Sequence, residues 1–188
     1  KKDNPFFLYI AVGFAAEFVG LLYKDVLTQE VMLLSWTIVT GVYTIFESAT
    51  YYSYLIERNS SFKNIYKIAF LISISWSVFL VSIYDPFLYS FWPFSITSLI
   101  LMFMGLLGYY EMLSAPEVTN PLKSSFFWIN SAFFMFGAGS TIIFLFIDSG
   151  LREEFNVMAN LWIVGYGVVS GLRYLFIGIG VYQKDMIN

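Results

Sequence analysis

A chain of 188 residues that is 59% hydrophobic and only 12% charged carries too much Phe, Leu and Ile for one aqueous core, because soluble domains are about a quarter charged. The absence of Cys and His excludes disulfide frameworks, Cys/His zinc sites, haem attachment and His-dependent catalytic triads. A net charge of −3, with Lys1-Lys2 as the longest basic run, gives no basis for a nucleic-acid partner. The composition is that of a polytopic membrane protein whose solvent is the lipid bilayer.

The charges delimit six apolar segments, at 5–23, 31–55, 65–84, 94–113, 125–147 and 157–183. Each is long enough, at about 1.5 Å per residue, to cross about 30 Å of hydrocarbon. A lipid-embedded backbone must pair its own N–H and C=O groups, and nothing in the chain alternates as a barrel strand does. The reading is therefore all-α: a transmembrane bundle of about six helices, forming one domain over residues 1–188.

In chain order, Asp3-Asn4-Pro5 supplies a capping residue and a proline for the start of the first helix. Lys1-Lys2 before an apolar stretch has the look of a secretory signal, but Glu17 and the lack of a small-residue cleavage site mark it as a retained helix. Gly13, Ala16, Glu17 and Gly20 share one face of that helix, so Glu17 is expected against a neighbouring helix. The 56–64 loop is short and polar. The stretch from Tyr84 to Pro93, bracketed by Pro86 and Pro93 and dense in aromatic rings, is expected in the membrane interface; a re-entrant pore loop is the alternative. Ser114 to Ser124, with Pro116 and Pro121, reads as a turn. On the sixth helix Gly167, Gly171 and Gly178 form a small-residue stripe expected to pack closely on a neighbour. The 21 Phe and 14 Tyr residues are expected to face lipid or its interfaces for the most part.

Lys1, Lys2, Arg58, Lys63, Lys67, Lys123 and Lys184 fall on one side of the predicted membrane, against Lys24 and Arg152 on the other. The positive-inside rule then puts both termini in the cytoplasm.

A charge at the centre of a membrane helix costs roughly 2.5–3.5 kcal/mol to insert, so such residues face protein or water. Glu17, Glu47 and Arg173 are the candidates. Glu47 and Arg173 both lie about 24 Å in from the outer ends predicted at Val31 and Val157, which makes them the best-matched ion pair. Tyr51 on the second helix and Asn160, Tyr166, Ser170 and Tyr174 on the sixth surround these charges with polar groups. Two roles fit the pattern: a salt bridge that fixes helix register, or a polar centre that binds an anionic or zwitterionic ligand or relays protons. Gly165-Tyr166-Gly167 and Gly178-Ile179-Gly180 are not phosphate loops, because no strand precedes them. No catalytic residue, metal site or cofactor is implied.

Asn120-Pro121, then Phe127-Trp128-Ile129-Asn130-Ser131, and later Leu161-Trp162 and Leu175-Phe176-Ile177-Gly178-Ile179-Gly180-Val181-Tyr182 resemble the end of a group of small bacterial multi-pass proteins and of histidine-kinase membrane sensor portions. The likeness covers about the last third of the chain. It implies a sensory or signalling-accessory role in a bacterial inner membrane, exercised through a protein partner or a homo-oligomer, with no catalytic residues carried over. A small oligomeric transporter or channel working through the same Glu/Arg centre is the alternative.

Overall fold

The computed structural model describes residues 6, 8–15, 29–57, 61–82, 92–114, 120–150 and 161–187. Among them every regular element is helical and no strand occurs. The chain divides into two compact units, Lys1–Tyr89 and Ser90–Asn188.

The first unit contains α1, helical over 8–15, then α2 (Gln29–Glu57) and α3 (Lys63–Ser82). The second contains α4 (Trp92–Ser114), α5 (Ser125–Gly150) and α6, which starts as a π-helical turn at Leu161–Tyr166 and continues as α-helix through Gly167–Ile187. Helices α2 and α4 run past the predicted limits at both ends, and α5 and α6 run past their C-terminal ones. Charged residues mark where the apolar stretch stops, but backbone hydrogen bonds carry the helix on through Gln29, Glu30 and Glu57. The stretch from Tyr84 to Phe91, the Asp3-Asn4-Pro5 start signal and Ala16, Glu17 and Gly20 lie outside the described residues.

Three helices of the second unit are long and apolar enough to cross a membrane: Phe94–Ser114, Ser125–Phe146 and Val164–Gln183. At about 1.5 Å per residue they measure about 30–33 Å. Their Ser and Thr residues sit in apolar surroundings largely because the hydroxyls bond back to the preceding turn. Ser98 donates to Phe94 O, Ser131 to Phe127 O, and Thr141 to Gly137 O at 2.7 Å.

In the first unit α2 takes α1 on one side and α3 on another. The Phe6 ring meets Tyr54 edge-on, with centroids 5.3 Å apart, and Tyr9 stacks against Tyr43 and Phe46. Against α3, the Ser48 and Ser73 hydroxyls share a 2.7 Å hydrogen bond, and Tyr52 stacks on Phe70. Residue numbers rise along one helix as they fall along its neighbour, so successive helices are antiparallel.

In the second unit α5 is the middle helix, packed on both α4 and α6. That position explains a departure from expectation: Phe126, Phe133, Phe136 and Phe144 on α5 are buried rather than turned to lipid. Close approach of α4 and α5 depends on glycine. A Cβ on Gly137 would lie 2.6 Å from both Met102 N and Ser98 O, so nothing larger fits without moving backbone. Asn130 Nδ2 donates to Gly105 O across the same seam at 2.8 Å. The stripe expected to pack, Gly167, Gly171 and Gly178, instead lies on an exposed face of α6, where an added Cβ would meet nothing within 4 Å among the described residues. Small residues favour close packing without deciding which side of a helix receives a neighbour; here the aromatic and polar residues of α6 decide it.

Between α4 and α5, Asn120 caps a 3-10 turn (Pro121–Lys123) by accepting a hydrogen bond from Leu122 N. Leu122 O in turn accepts from Trp128 Nε1 and from Gln183 Nε2, both at 2.8 Å, which ties the end of α6 to the turn before α5. The Asn120-Pro121 and Trp128 motif residues thus have local structural work to do.

Candidate functional site

Each unit buries one charged residue of those singled out from the sequence. In the first, Glu47 is 2% exposed and accepts a 2.8 Å hydrogen bond from the Tyr9 hydroxyl. Tyr51, one turn further along α2, is also fully buried, as are Ser48 and, nearly so, Thr44. Glu47 is therefore buried on a stretch of α2 rich in buried polar groups and receives a tyrosine donor from α1. Tyr9 could not be anticipated: 38 residues separate it from Glu47, and one Tyr among fourteen carries no mark of its partner.

In the second unit Arg173 is 1% exposed. Its guanidinium carbon lies 3.6 Å from the centre of the Phe136 ring and 4.8 Å from that of Tyr174, and Nη2 donates to the Tyr174 hydroxyl at 3.1 Å. A guanidinium is planar and less strongly hydrated than an ammonium, so it can lie flat against a ring in a low-dielectric interior. Phe136 comes from α5, and antiparallel packing brings it level with Arg173. One turn before Arg173 on α6, Ser170 is fully buried; one turn after Phe136 on α5, Ser140 is too.

The π-helical turn Leu161–Tyr166 ends where this cluster begins. Such turns insert an extra residue into a helix and shift the faces that follow it. Tyr166, its last residue, rests against both Phe136 and Phe144, with ring centroids 5.6 and 6.2 Å away.

Of the sequence candidates, Glu47 and Tyr51 come together in the first unit, and Arg173, Ser170, Tyr174 and Tyr166 in the second. Glu17 and Asn160 lie outside the described residues. Phe136 and Tyr9 join as direct contacts of the two charges. Among the described residues no group of three Asp or Glu side chains could hold a metal ion. The arrangement around Arg173 brings together a buried guanidinium, the Tyr174 hydroxyl and the Phe136 ring. No protein-family model, curated protein or solved structure matches this chain.

Proposed function

We propose that this chain is a membrane-embedded, non-enzymatic module that receives a signal at its buried polar residues and passes it to a protein partner or a second copy in a bacterial inner membrane. One observation carries the reading: Arg173 is 1% exposed within a helix apolar enough to cross a membrane, and is held against Phe136. A cation at that depth is stabilised only by specific neighbours, and a site so built responds to whatever alters those neighbours. The resemblance of the last third of the chain to membrane sensor portions agrees with this.

Native mass spectrometry of protein released gently from detergent tests the reading. A defined added mass on the wild type, lost in Arg173→Met while thermal stability is kept, is the expected result. A bare protein in both cases, with equal association to partners, would refute it. The second reading, a small oligomeric transporter or channel, draws on the division into two units, each with three long or α-helical segments among the described residues, an arrangement that carriers built from repeats share. Ion or solute flux in proteoliposomes that vanishes in Arg173→Met would select it.

A further inference from the structure

Helix α3 has two unlike faces. Tyr66, Ala69, Ser73, Ser77 and Leu80 are buried, and this face meets α2, where Ser73 shares a hydrogen bond with Ser48. On the other face Ile68, Leu71, Ile72 and Val78 are each at least half exposed. A contiguous apolar surface of this kind marks a face that lipid or protein covers. The 20 residues of Lys63–Ser82 extend about 30 Å, which matches the thickness of the hydrocarbon layer.

The first two turns of α3 carry Lys63 and Lys67. Both are exposed, and neither makes a hydrogen bond or an ion pair among the described residues. Four-residue spacing sets them one turn apart on the same side of the helix, and Leu71 comes next in that row. The charge therefore runs directly into the exposed apolar face. No Asp or Glu occurs between Glu57 and Asp85, so α3 supplies no internal partner for either lysine.

Charge and apolar surface together select the occupant. A second copy in the same bilayer orientation, paired through this face, would set the two lysines against their own equivalents, and like charges repel. An anionic lipid meets both demands at once. Its phosphate suits the ammonium groups, and its acyl chains suit the aliphatic side chains beyond them. Lysine stems can lie along apolar surface while their ammonium groups stay at headgroup level.

We propose that the exposed face of α3 binds an anionic glycerophospholipid, with the phosphate at Lys63 and Lys67 and the acyl chains along Ile68, Leu71 and Ile72. Helix α3 then lies in the bilayer beside lipid, as the apolar helices of the second unit do. This rests on the membrane-embedded part of the reading above and not on Arg173.

The test is native mass spectrometry of the purified full chain titrated with phosphatidylglycerol or phosphatidylcholine of identical acyl chains, together with flotation of the chain reconstituted in vesicles of an equimolar mixture of the two. A lysine close to anionic headgroups strengthens binding about fivefold. The wild type should therefore bind phosphatidylglycerol at least about tenfold more tightly than phosphatidylcholine. Lys63→Gln/Lys67→Gln should lose most of that preference and melt as the wild type does, because both side chains are exposed. Lys63→Arg/Lys67→Arg should keep the preference, as should Lys123→Gln, which alters an exposed lysine of the second unit. Equal wild-type affinity for the two lipids overturns the proposal, and so does a preference that survives in the double glutamine variant. So do Lys63 and Lys67 that resist an amine-modifying reagent in lipid-free detergent, since protein would then cover the face. If the chain floats with the vesicles and shows no preference, the lysine site fails and the membrane reading stands; a chain that does not float refutes both.

Discussion

The Arg173 guanidinium carbon lies 3.6 Å from the centroid of the Phe136 ring, linking a charge on α6 to an aromatic face on α5. A desolvated contact of this kind is worth about 2 kcal/mol or more. Replacing the ring by an aliphatic chain of similar size keeps much of the packing and removes the quadrupole. Phe136→Leu should therefore lower unfolding free energy by about 1–3 kcal/mol, whereas Phe136→Tyr should lose much less. Circular-dichroism melting of both variants in one detergent checks this. Equal losses would mean that the ring only fills space.

Tyr9 and Glu47 make the corresponding contact in the first unit, a 2.8 Å hydrogen bond between buried groups. A hydrogen bond to a charged group contributes about 1.5–3 kcal/mol. Tyr9→Phe removes the hydroxyl and retains the rings stacked on Tyr43 and Phe46. It should destabilise by about 1–2 kcal/mol in the wild type, and by clearly less in a Glu47→Gln background. Additive losses in the double variant would show that the hydroxyl acts independently of the carboxylate.

Much of this architecture is legible in the sequence because lipid penalises charge and open backbone so strongly. Apolar stretches bounded by Lys, Arg, Asp and Glu read as helices, the described elements are all helical and three of them are apolar enough to cross a membrane, and the depth of Arg173 in its stretch announces a buried cation. What faces what is less legible. Phe136 is chemically the same as the Phe residues that stay exposed, and only the middle position of α5 separates it from Phe146 on the open side. Tyr9 meets Glu47 through the antiparallel pairing of α1 and α2, which no short-range pattern encodes. Small residues mislead for a related reason: Gly137 and Gly171 look alike in an apolar helix, yet among the described residues only the first faces a neighbour.

The turn before α5 offers a local test. Asn120 Oδ1 accepts from Leu122 N at 3.0 Å and shapes the turn whose Leu122 carbonyl receives Trp128 and Gln183. Removing a capping acceptor costs about 0.5–2 kcal/mol. Asn120→Ala should speed amide exchange at Leu122 and Ser124, while Asn120→Asp, which keeps an acceptor in place, should leave it near the wild-type rate. Hydrogen exchange read by mass spectrometry over 120–125 decides it; unchanged rates in the alanine variant would mean that Pro121 alone holds the turn.

Gly137 and Gly171 give opposite expectations for the same substitution. Alanine at 137 places a methyl 2.6 Å from Met102 N and Ser98 O, two backbone atoms that can yield only by moving α4 away from α5. Overpacking of this sort costs about 1–3 kcal/mol. Alanine at 171 meets nothing within 4 Å and replaces a residue with high backbone entropy by the best helix former, a gain of up to about 1 kcal/mol. Gly137→Ala should therefore melt lower than wild type and Gly171→Ala at or above it. Loss of stability at 171 comparable to that at 137 would mean that the open face of α6 is covered in the assembled protein, and chemical cross-linking from that face would then identify what covers it.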